Sequence, residues 1–234
     1  MKKTFIIACL LFACGVTFGQ IAEKQTYLSD FKEEMKKKWP TNRTLNIVFH
    51  GHSVPSGYFH GGVVNTMQAY PHLTFHGIKA QYPFTVLNVI TTSIGGEQAE
   101  QGEKRFSDEV LTHRPDVLFI DYALNDRSIG LERSEKAWRK MIEKALEQNI
   151  KIVLLTPTPD LKEDITDANA PLEAHAEMIR RLASEYHVGL VDSYLLFQKK
   201  AKEGEEIKRY MSQNNHPNSG VHACVAAEIL TWFF

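Results

Sequence analysis

Short apolar segments alternate with longer amphipathic segments along most of this chain, and this alternation is the feature that most restricts its fold. The predicted strands cover residues 45–49, 84–90, 117–120, 150–155 and 188–191. The predicted helices cover residues 28–39, 66–82, 97–113, 137–146, 171–186 and 219–233. Strands that alternate with helices of this length form βαβ units, in which the strands run parallel and helices cover both faces of the sheet. The sequence therefore predicts one α/β domain over residues 45–234, preceded by a helical lead-in over residues 20–44.

The first 19 residues differ in character from the rest of the chain. Two lysines precede an apolar run over residues 4–13, and small residues follow up to Gly19. This pattern is typical of a secretory signal peptide, so we expect cleavage before Gln20 and export to the periplasm or the medium. Cys14 offers the alternative of a lipoprotein anchor. The apolar run is shorter than the roughly 20 residues of a membrane-spanning helix, so no stable membrane span is expected.

Charge and cysteine content exclude several classes of protein. Lys and Arg number 27 against 28 acidic residues, and no basic stripe indicates a nucleic-acid partner. Removal of the signal peptide would leave Cys224 as the sole cysteine, so no intramolecular disulfide is expected. The apolar neighbours of Cys224 favour a buried side chain. No pattern predicts a particular oligomeric state.

Histidines are numerous, but their spacing does not indicate a metal site. None of them forms the H-E-x-x-H pattern of a zinc enzyme or a comparable spacing. Besides His52 and His216, which are discussed below, the histidines are His50, His60, His72, His76, His113, His175, His187 and His222. We therefore expect no metal.

The segments that follow the predicted strands are rich in glycine and in polar residues. They cover residues 50–57, 91–97 and 121–126, and a similar polar segment covers residues 213–218 near the C-terminus. In open parallel sheets, ligands bind beyond the carboxyl ends of the strands, so these segments should meet at one rim of the sheet. This rim is where the chemistry is expected.

The residue types at this rim suit acyl transfer. A serine hydroxyl is a weak nucleophile until a base takes its proton, and Ser53 with His216 would supply both groups. The developing oxyanion needs hydrogen-bond donors, which the backbone N–H groups of Ser53 and Gly96 and the amide of Asn125 can provide. These four residues are the catalytic candidates.

The four segments resemble the blocks that give the SGNH hydrolases, also called GDSL-type esterases, their name. The family's Gly-Asp-Ser corresponds to Gly51-His52-Ser53, and its glycine block to residues 93–97, where the donor falls on Gly96. Its asparagine block corresponds to residues 123–126 and its Asp-x-x-His-Pro-Asn block to residues 213–218. The resemblance spans residues 47–217. It implies a flavodoxin-like three-layer αβα sandwich with a central parallel sheet of about five strands, ester hydrolysis through an acyl-enzyme, and no metal or organic cofactor.

Three positions depart from the family pattern. His52 replaces the aspartate beside the serine, Ala123 replaces a glycine, and Gln213 replaces the acid that orients the histidine. Loss of that acid costs a serine protease about 10⁴-fold in turnover. Either the enzyme works as a Ser–His dyad in which Gln213 orients the histidine, or an acid from elsewhere in the chain orients it. Asp192 is the first candidate for such an acid.

Each candidate also has a purely structural interpretation. Ser53 can serve as an N-cap, the glycines can form a turn, and Asn125-Asp126 can form an Asx turn. We favour catalysis for Asn125 and a structural role for Asp126. For His52, a polar role beneath the serine loop is favoured over contact with substrate.

The favoured function is hydrolysis of O-acyl esters, acetyl esters above all, on carbohydrate. The export signal, the absence of a lipid-sized apolar lid and a polar rim all favour it. Residues expected to contact sugar hydroxyls are Tyr58, Asn65, Asn169, Asn214 and Asn218. The loop over residues 158–170 is expected to shape specificity. The alternatives are a lysophospholipase or thioesterase acting on lipid acyl esters, and a non-catalytic carbohydrate-binding relic of the fold, which the loss of the acid suggests.

Overall fold

A central sheet of five parallel strands organises residues 19–234, which a computed structural model describes. The strands are β1 (Thr44–Gly51), β2 (Val86–Thr91), β3 (Val117–Asp121), β4 (Lys151–Leu155) and β5 (Gly189–Val191). Their spatial order is β2-β1-β3-β4-β5, and every neighbouring pair is parallel. In this flavodoxin-like order the chain reverses its winding direction between β1 and β3, where ligands bind in such folds. The predicted fold is confirmed.

Nine α-helices and a small hairpin complete the described part of the chain. The helices are α1 (Ser29–Lys36), α2 (Ser53–Ser56), α3 (Tyr70–Gln81), α4 (Ala99–Glu109), α5 (Ala123–Asp126), α6 (Leu131–Glu147), α7 (Pro171–Glu185), α8 (Ser193–Lys202) and α9 (Ser219–Leu230). The hairpin pairs β6 (Met211–Gln213) with β7 (His216–Pro217) in antiparallel fashion.

Alternate strand residues enter two separate apolar cores, one on each face of the sheet. Ile47, Phe49 and Phe119 pack with residues of α1, α3, α8 and α9. Val48 and Leu118 point to the opposite face and pack with α4, α6 and α7. Because successive strand side chains point to opposite faces, strands buried on both sides appear as continuous apolar runs in the sequence. The three layers follow from this pattern.

The helical lead-in belongs to the same core as the sheet. Leu28, Phe31 and Met35 of the α1 region are buried in the cluster that also holds Trp232 and Phe233. The N-terminal and C-terminal segments of the described chain therefore pack together against one face.

Several predicted elements are interrupted or were missed. A 3₁₀ turn at Thr66–Gln68 precedes α3, whose first turn contains Pro71, a residue that favours a helix start. A second 3₁₀ turn at Leu111–His113 follows α4. Helix α8 was not predicted, because polar residues occupy two of its four buried positions and weaken the apolar periodicity.

The predicted signal peptide, apart from Gly19, and Cys14 lie outside the described residues. Within residues 19–234, no helix combines the length and the apolar character that crossing a bilayer requires.

Candidate active site

Ser53 and His216 meet above the carboxyl end of β1. Ser53 is the first residue of α2, directly after the strand, and its side chain is buried, with 6% of the residue exposed. The Nε2 atom of His216 lies 2.8 Å from Ser53 Oγ. This distance lets the imidazole accept the hydroxyl proton, as a general base must.

The β6–β7 hairpin presents His216 to the serine. Gln213 is paired with His216 across the hairpin, and its side-chain amide contacts His216 Nδ1. The ring of Tyr58 stacks on the imidazole with centroids 5.9 Å apart. The imidazole is thus held by an amide at one edge and by an aromatic ring over one face.

Burial lowers the pKa of His216 below its usual 6.5, and the neighbouring His52 lowers it further, whereas Asp160 raises it. Burial dominates because desolvation disfavours the charged imidazolium. His216 is therefore neutral at neutral pH, which is the form that can accept a proton from Ser53.

The glycine segment after β2 lies beside the serine turn. The N–H of Ile94 donates to Gly51 O at 3.1 Å, and Ser56 Oγ donates to Ser93 O at 3.2 Å. Gly96 has a φ of +77°, a backbone conformation that favours glycine. A Cβ on Gly95 would lie 2.9 Å from Tyr58 Oη, so only glycine permits this approach.

Asn125 follows β3 and lies in α5. Its amide nitrogen donates one hydrogen bond, at 3.0 Å, to the backbone oxygen of Glu97. An amide nitrogen carries two hydrogens, so the second is available to a ligand. The bond to Glu97 O links Asn125 to the glycine segment, and the two candidate donors form one unit.

Asp126 has the structural role expected for it. Its buried carboxylate accepts hydrogen bonds from Ala99 N at 2.7 Å, Ser134 Oγ at 2.7 Å and Trp138 Nε1 at 3.1 Å. It therefore ties the start of α4 and the body of α6 to the turn that carries Asn125.

A buried polar network that sequence reasoning missed supports the glycine segment. Arg105 binds the Glu97 carboxylate through Nε at 2.7 Å and through Nη2 at 2.5 Å. Tyr122 Oη donates to Glu97 Oε2 at 2.7 Å and lies 3.0 Å from His50 Nε2. Burial, followed by the charge of Arg105, lowers the pKa of His50 to about 3. The only feature of the sequence that pointed to this network was the position of Glu97 directly after Gly96.

His52 lies beneath the serine turn and does not face solvent. Only 1% of the residue is exposed, and its Nδ1 accepts the N–H of Val54 at 3.1 Å as the N-cap of α2. Its Nε2 lies 3.4 Å from Asp121 Oδ1, while Tyr70 Oη donates to Asp121 Oδ2 at 2.7 Å. The structure thus supports the polar role beneath the loop, which the sequence favoured, over contact of His52 with substrate.

Asp192 does not lie against His216. Its carboxylate caps α8 by accepting Leu195 N at 3.0 Å, and it binds Arg180 Nε at 2.7 Å and Thr156 Oγ1 at 2.9 Å. All of these partners belong to the β4, α7 and α8 region. The proposal of Asp192 as the orienting acid is therefore wrong on geometric grounds, and Gln213 occupies that place.

Two of the asparagines expected at the rim are engaged within the fold. Asn218 caps α9 by accepting Val221 N at 3.2 Å, and its amide nitrogen donates to Arg209 O at 2.7 Å. Asn169 Nδ2 donates to Asp167 Oδ1 at 3.2 Å within its loop. This corrects the assignment of Asn218 to substrate contact. Asn65 donates its backbone N–H to Gly57 O at 2.8 Å, next to the site.

Two cavities flank the Ser53–His216 pair. One, of about 450 Å³, is lined by Ser56, Tyr58, Val64, Thr66, Thr91, Ser93, Ile94 and Gly95. The other, of about 500 Å³, is lined by His60, Lys162, Gln213, Asn214 and Asn215. Tyr58 thus lines the first cavity and Asn214 the second. In residues 19–234, no group of three or more His, Cys, Asp or Glu side chains is arranged to hold a metal ion.

Several solved structures share this fold. A two-domain esterase active on acetylated mannans matches with 20% sequence identity and a TM-score of 0.71, covering 88% of this chain and 52% of its own. This chain therefore spans about half the length of that esterase. An acetylxylan esterase from Geobacillus stearothermophilus matches with 18% identity and a TM-score of 0.68, covering 81% of this chain and 94% of its own. The acetyl xylan esterase AlAXEase matches with 23% identity and a TM-score of 0.65, covering 79% of this chain and 98% of its own.

Sequence comparisons give the family. A search of curated proteins finds no match. The model of the GDSL-like lipase/acylhydrolase family matches residues 49–224, which contain Ser53, Gly96, Asn125 and His216. The chain therefore belongs to the GDSL-like lipase/acylhydrolase family.

Proposed function

We propose that this enzyme acts outside the cytoplasm and removes short acyl groups, acetyl above all, from hydroxyls of carbohydrate through an acyl-enzyme on Ser53. The observation that carries the proposal is the 2.8 Å distance between His216 Nε2 and Ser53 Oγ, in a site with an open cavity on each side. The signal-like first 19 residues support export.

The reaction assigned to this geometry has two halves. Ser53 Oγ attacks the ester carbonyl while its proton passes to His216 Nε2, and the carbonyl oxygen becomes an oxyanion. The N–H groups of Ser53 and Gly96 and the free amide hydrogen of Asn125 are the proposed donors to that oxyanion. His216 then gives its proton to the departing sugar oxygen, which leaves as a hydroxyl. In the second half His216 takes a proton from water, the water oxygen attacks the acyl-enzyme carbonyl, and the acid leaves as Ser53 Oγ regains a proton from His216.

The proposed acyl pocket lies on the Tyr58 side of the site. Gly95, Ile94 and Tyr58 line the cavity next to the proposed oxyanion donors. The cavities on the two sides leave room for a bulky alcohol such as a sugar ring. The neighbours described as active on acetylated mannans and as acetylxylan esterases support a sugar acetate as substrate.

One observation favours a second candidate, a lysophospholipase or thioesterase. Val63, Val64, Met67 and Ile94 are exposed near the same cavity and give it an apolar edge. Such an edge can hold a longer acyl chain. We therefore place this candidate second. The rates on esters of different acyl chain length distinguish the two candidates.

The deciding experiment compares kcat/KM on acetylated xylo- and manno-oligosaccharides with kcat/KM on p-nitrophenyl esters of increasing chain length. We expect acetate and acetylated oligosaccharides to be hydrolysed at least about tenfold faster than esters of eight or more carbons, a difference of about 1.4 kcal/mol in activation free energy. Faster turnover of the long chains would overturn the carbohydrate proposal. Export is tested by sequencing the N-terminus of the protein recovered outside the cytoplasm. A protein that stays inside the cell and still carries residues 1–19 would contradict export.

A further inference from the structure

The cavity on the Gln213 side is built from three loop segments that are fixed to one another. The N–H of His60 donates to Ser212 Oγ at 2.7 Å, and the N–H of Leu161 donates to Asn214 O at 2.8 Å. These bonds join the loop after α2 and the loop after β4 to the hairpin that carries His216. The cavity is therefore preformed and adjoins the catalytic histidine through Gln213.

Lys162 brings a positive charge to this cavity. Among residues 19–234, no carboxylate lies within ion-pair distance of its ammonium group. The acidic residues next to it in the loop are engaged elsewhere, since Arg127 binds both Asp160, at 2.5 Å, and Glu163. The third, Asp164, accepts the Thr166 hydroxyl at 2.7 Å. Lys162 thus lines the cavity as a cation whose acidic neighbours have other partners.

The remaining lining groups suit a sugar ring. Asn214 and Asn215 carry amides that both donate and accept hydrogen bonds, and His60 adds an imidazole. Amides that bind hydroxyls, together with one ammonium group that binds an anion, match a sugar that carries a carboxylate.

The geometry points to a subsite for a uronic acid residue in this cavity, next to the sugar whose ester is cleaved. This inference rests on the proposed function. The carboxylate would pair with Lys162 Nζ, and the ring hydroxyls would contact Asn214 and Asn215. The natural substrate would then be an acylated glycan that contains uronic acid, and neutral acetylated xylan or mannan would bind less tightly.

Binding can be tested without turnover by calorimetry on the Ser53→Ala variant. The probes are α-1,4-linked trigalacturonate and neutral mannotriose. We expect trigalacturonate to bind about five- to tenfold more tightly at low salt, and this preference to shrink at high salt because salt screens exposed charges. Adding Lys162→Met should remove the preference. Lys202→Met is the matched control, because Lys202 is an exposed lysine on α8 outside the cavity lining, and it should leave the preference intact.

Turnover of p-nitrophenyl acetate separates failure of the subsite from failure of the enzyme assignment. Lys202→Met should leave this turnover within about twofold of the wild-type rate, because Lys202 lies on α8 outside the cavity lining. If the wild-type enzyme cleaves p-nitrophenyl acetate but binds both trisaccharides equally, the subsite inference alone is overturned. The same holds if Lys162→Met and Lys202→Met reduce binding of trigalacturonate alike. If the wild-type enzyme cleaves no ester, the proposed function itself fails.

Discussion

Gln213 and His216 face each other across the β6–β7 hairpin, and the glutamine amide contacts Nδ1 of the imidazole whose Nε2 approaches Ser53. For Nε2 to take the serine proton, Nδ1 must carry the other hydrogen, so the amide must turn its oxygen toward it. A neutral amide can fix the tautomer in this way. It stabilises the imidazolium that forms during the reaction less than a carboxylate does.

Replacing this amide with a carboxylate should therefore increase activity. Gln213→Glu keeps the length of the side chain and adds the charge that stabilises imidazolium, and we expect kcat/KM to rise by about tenfold or more. Gln213→Leu, which removes the hydrogen bond, should lower it. Steady-state kinetics on p-nitrophenyl acetate measures both. If neither variant differs from wild type, His216 is oriented by another group.

Ser53→Ala should abolish hydrolysis with little change in Tm. The side chain of Ser53 bonds His216, whereas the cap of α2 is provided by His52, so little structural stabilisation is lost. A fluorophosphonate should label the wild-type protein stoichiometrically and leave the variant unlabelled. A folded wild-type protein that resists labelling would support the non-catalytic alternative. His52→Ala serves as the contrast, with an expected loss of about 1 kcal/mol from the missing cap.

Asn125→Ala should lower kcat by about 10²–10³-fold if its free amide hydrogen binds the oxyanion. The variant also loses the hydrogen bond to Glu97 O, so a decrease of about 1 kcal/mol in the free energy of unfolding is expected as well. Kinetics and chemical denaturation separate the two effects. A decrease of tenfold or less in a folded variant would remove Asn125 from the oxyanion role.

The acidic limb of the profile of kcat/KM against pH should have its midpoint below pH 6.5. Burial lowers the pKa of His216, so the imidazole stays neutral and active to lower pH than a free histidine. Gln213→Glu should move this limb to higher pH, because a nearby negative charge favours imidazolium. An acidic limb above 6.5 in the wild-type enzyme would contradict the environment described for His216.

Thermal stability should fall as the pH is lowered from 6.5 toward 5. Burial lowers the pKa of His50 to about 3 and that of His222 to about 4. In this window the unfolded chain binds protons at these positions and the folded chain does not, so each histidine costs about 1.4 kcal/mol per pH unit. His50→Gln and His222→Gln should each reduce the slope of the unfolding free energy against pH. An unchanged slope in both would show that other groups dominate.

The fold was largely predictable because burial on both faces leaves apolar runs that only a covered parallel sheet explains. All five strands were found, with end shifts of one or two residues, as at Val86–Thr91 against the predicted 84–90. Helix ends and α8 were less predictable, since tertiary contacts rather than periodicity decide them. The β6–β7 hairpin is too short to leave a pattern.

The candidate site was partly predictable. Ser53 and His216 were placed together by their position after strands and by the family blocks, and the structure brings them to 2.8 Å. The network of Glu97, Arg105 and Tyr122 was not predictable from the sequence, because its members come from distant segments whose hydrogen bonds depend on packing. The position of Asp192 after a strand did not reveal its role either, since an acid there can equally cap the following helix and bind an arginine.

In the proposed subsite Lys162 lies on a loop, away from the strand ends that hold Ser53 and Asn125, so substrate selection would be separate from bond cleavage. Grafting a relative's residues over 158–170 would change which polymer is chosen while the machinery that breaks a small chromogenic ester persists.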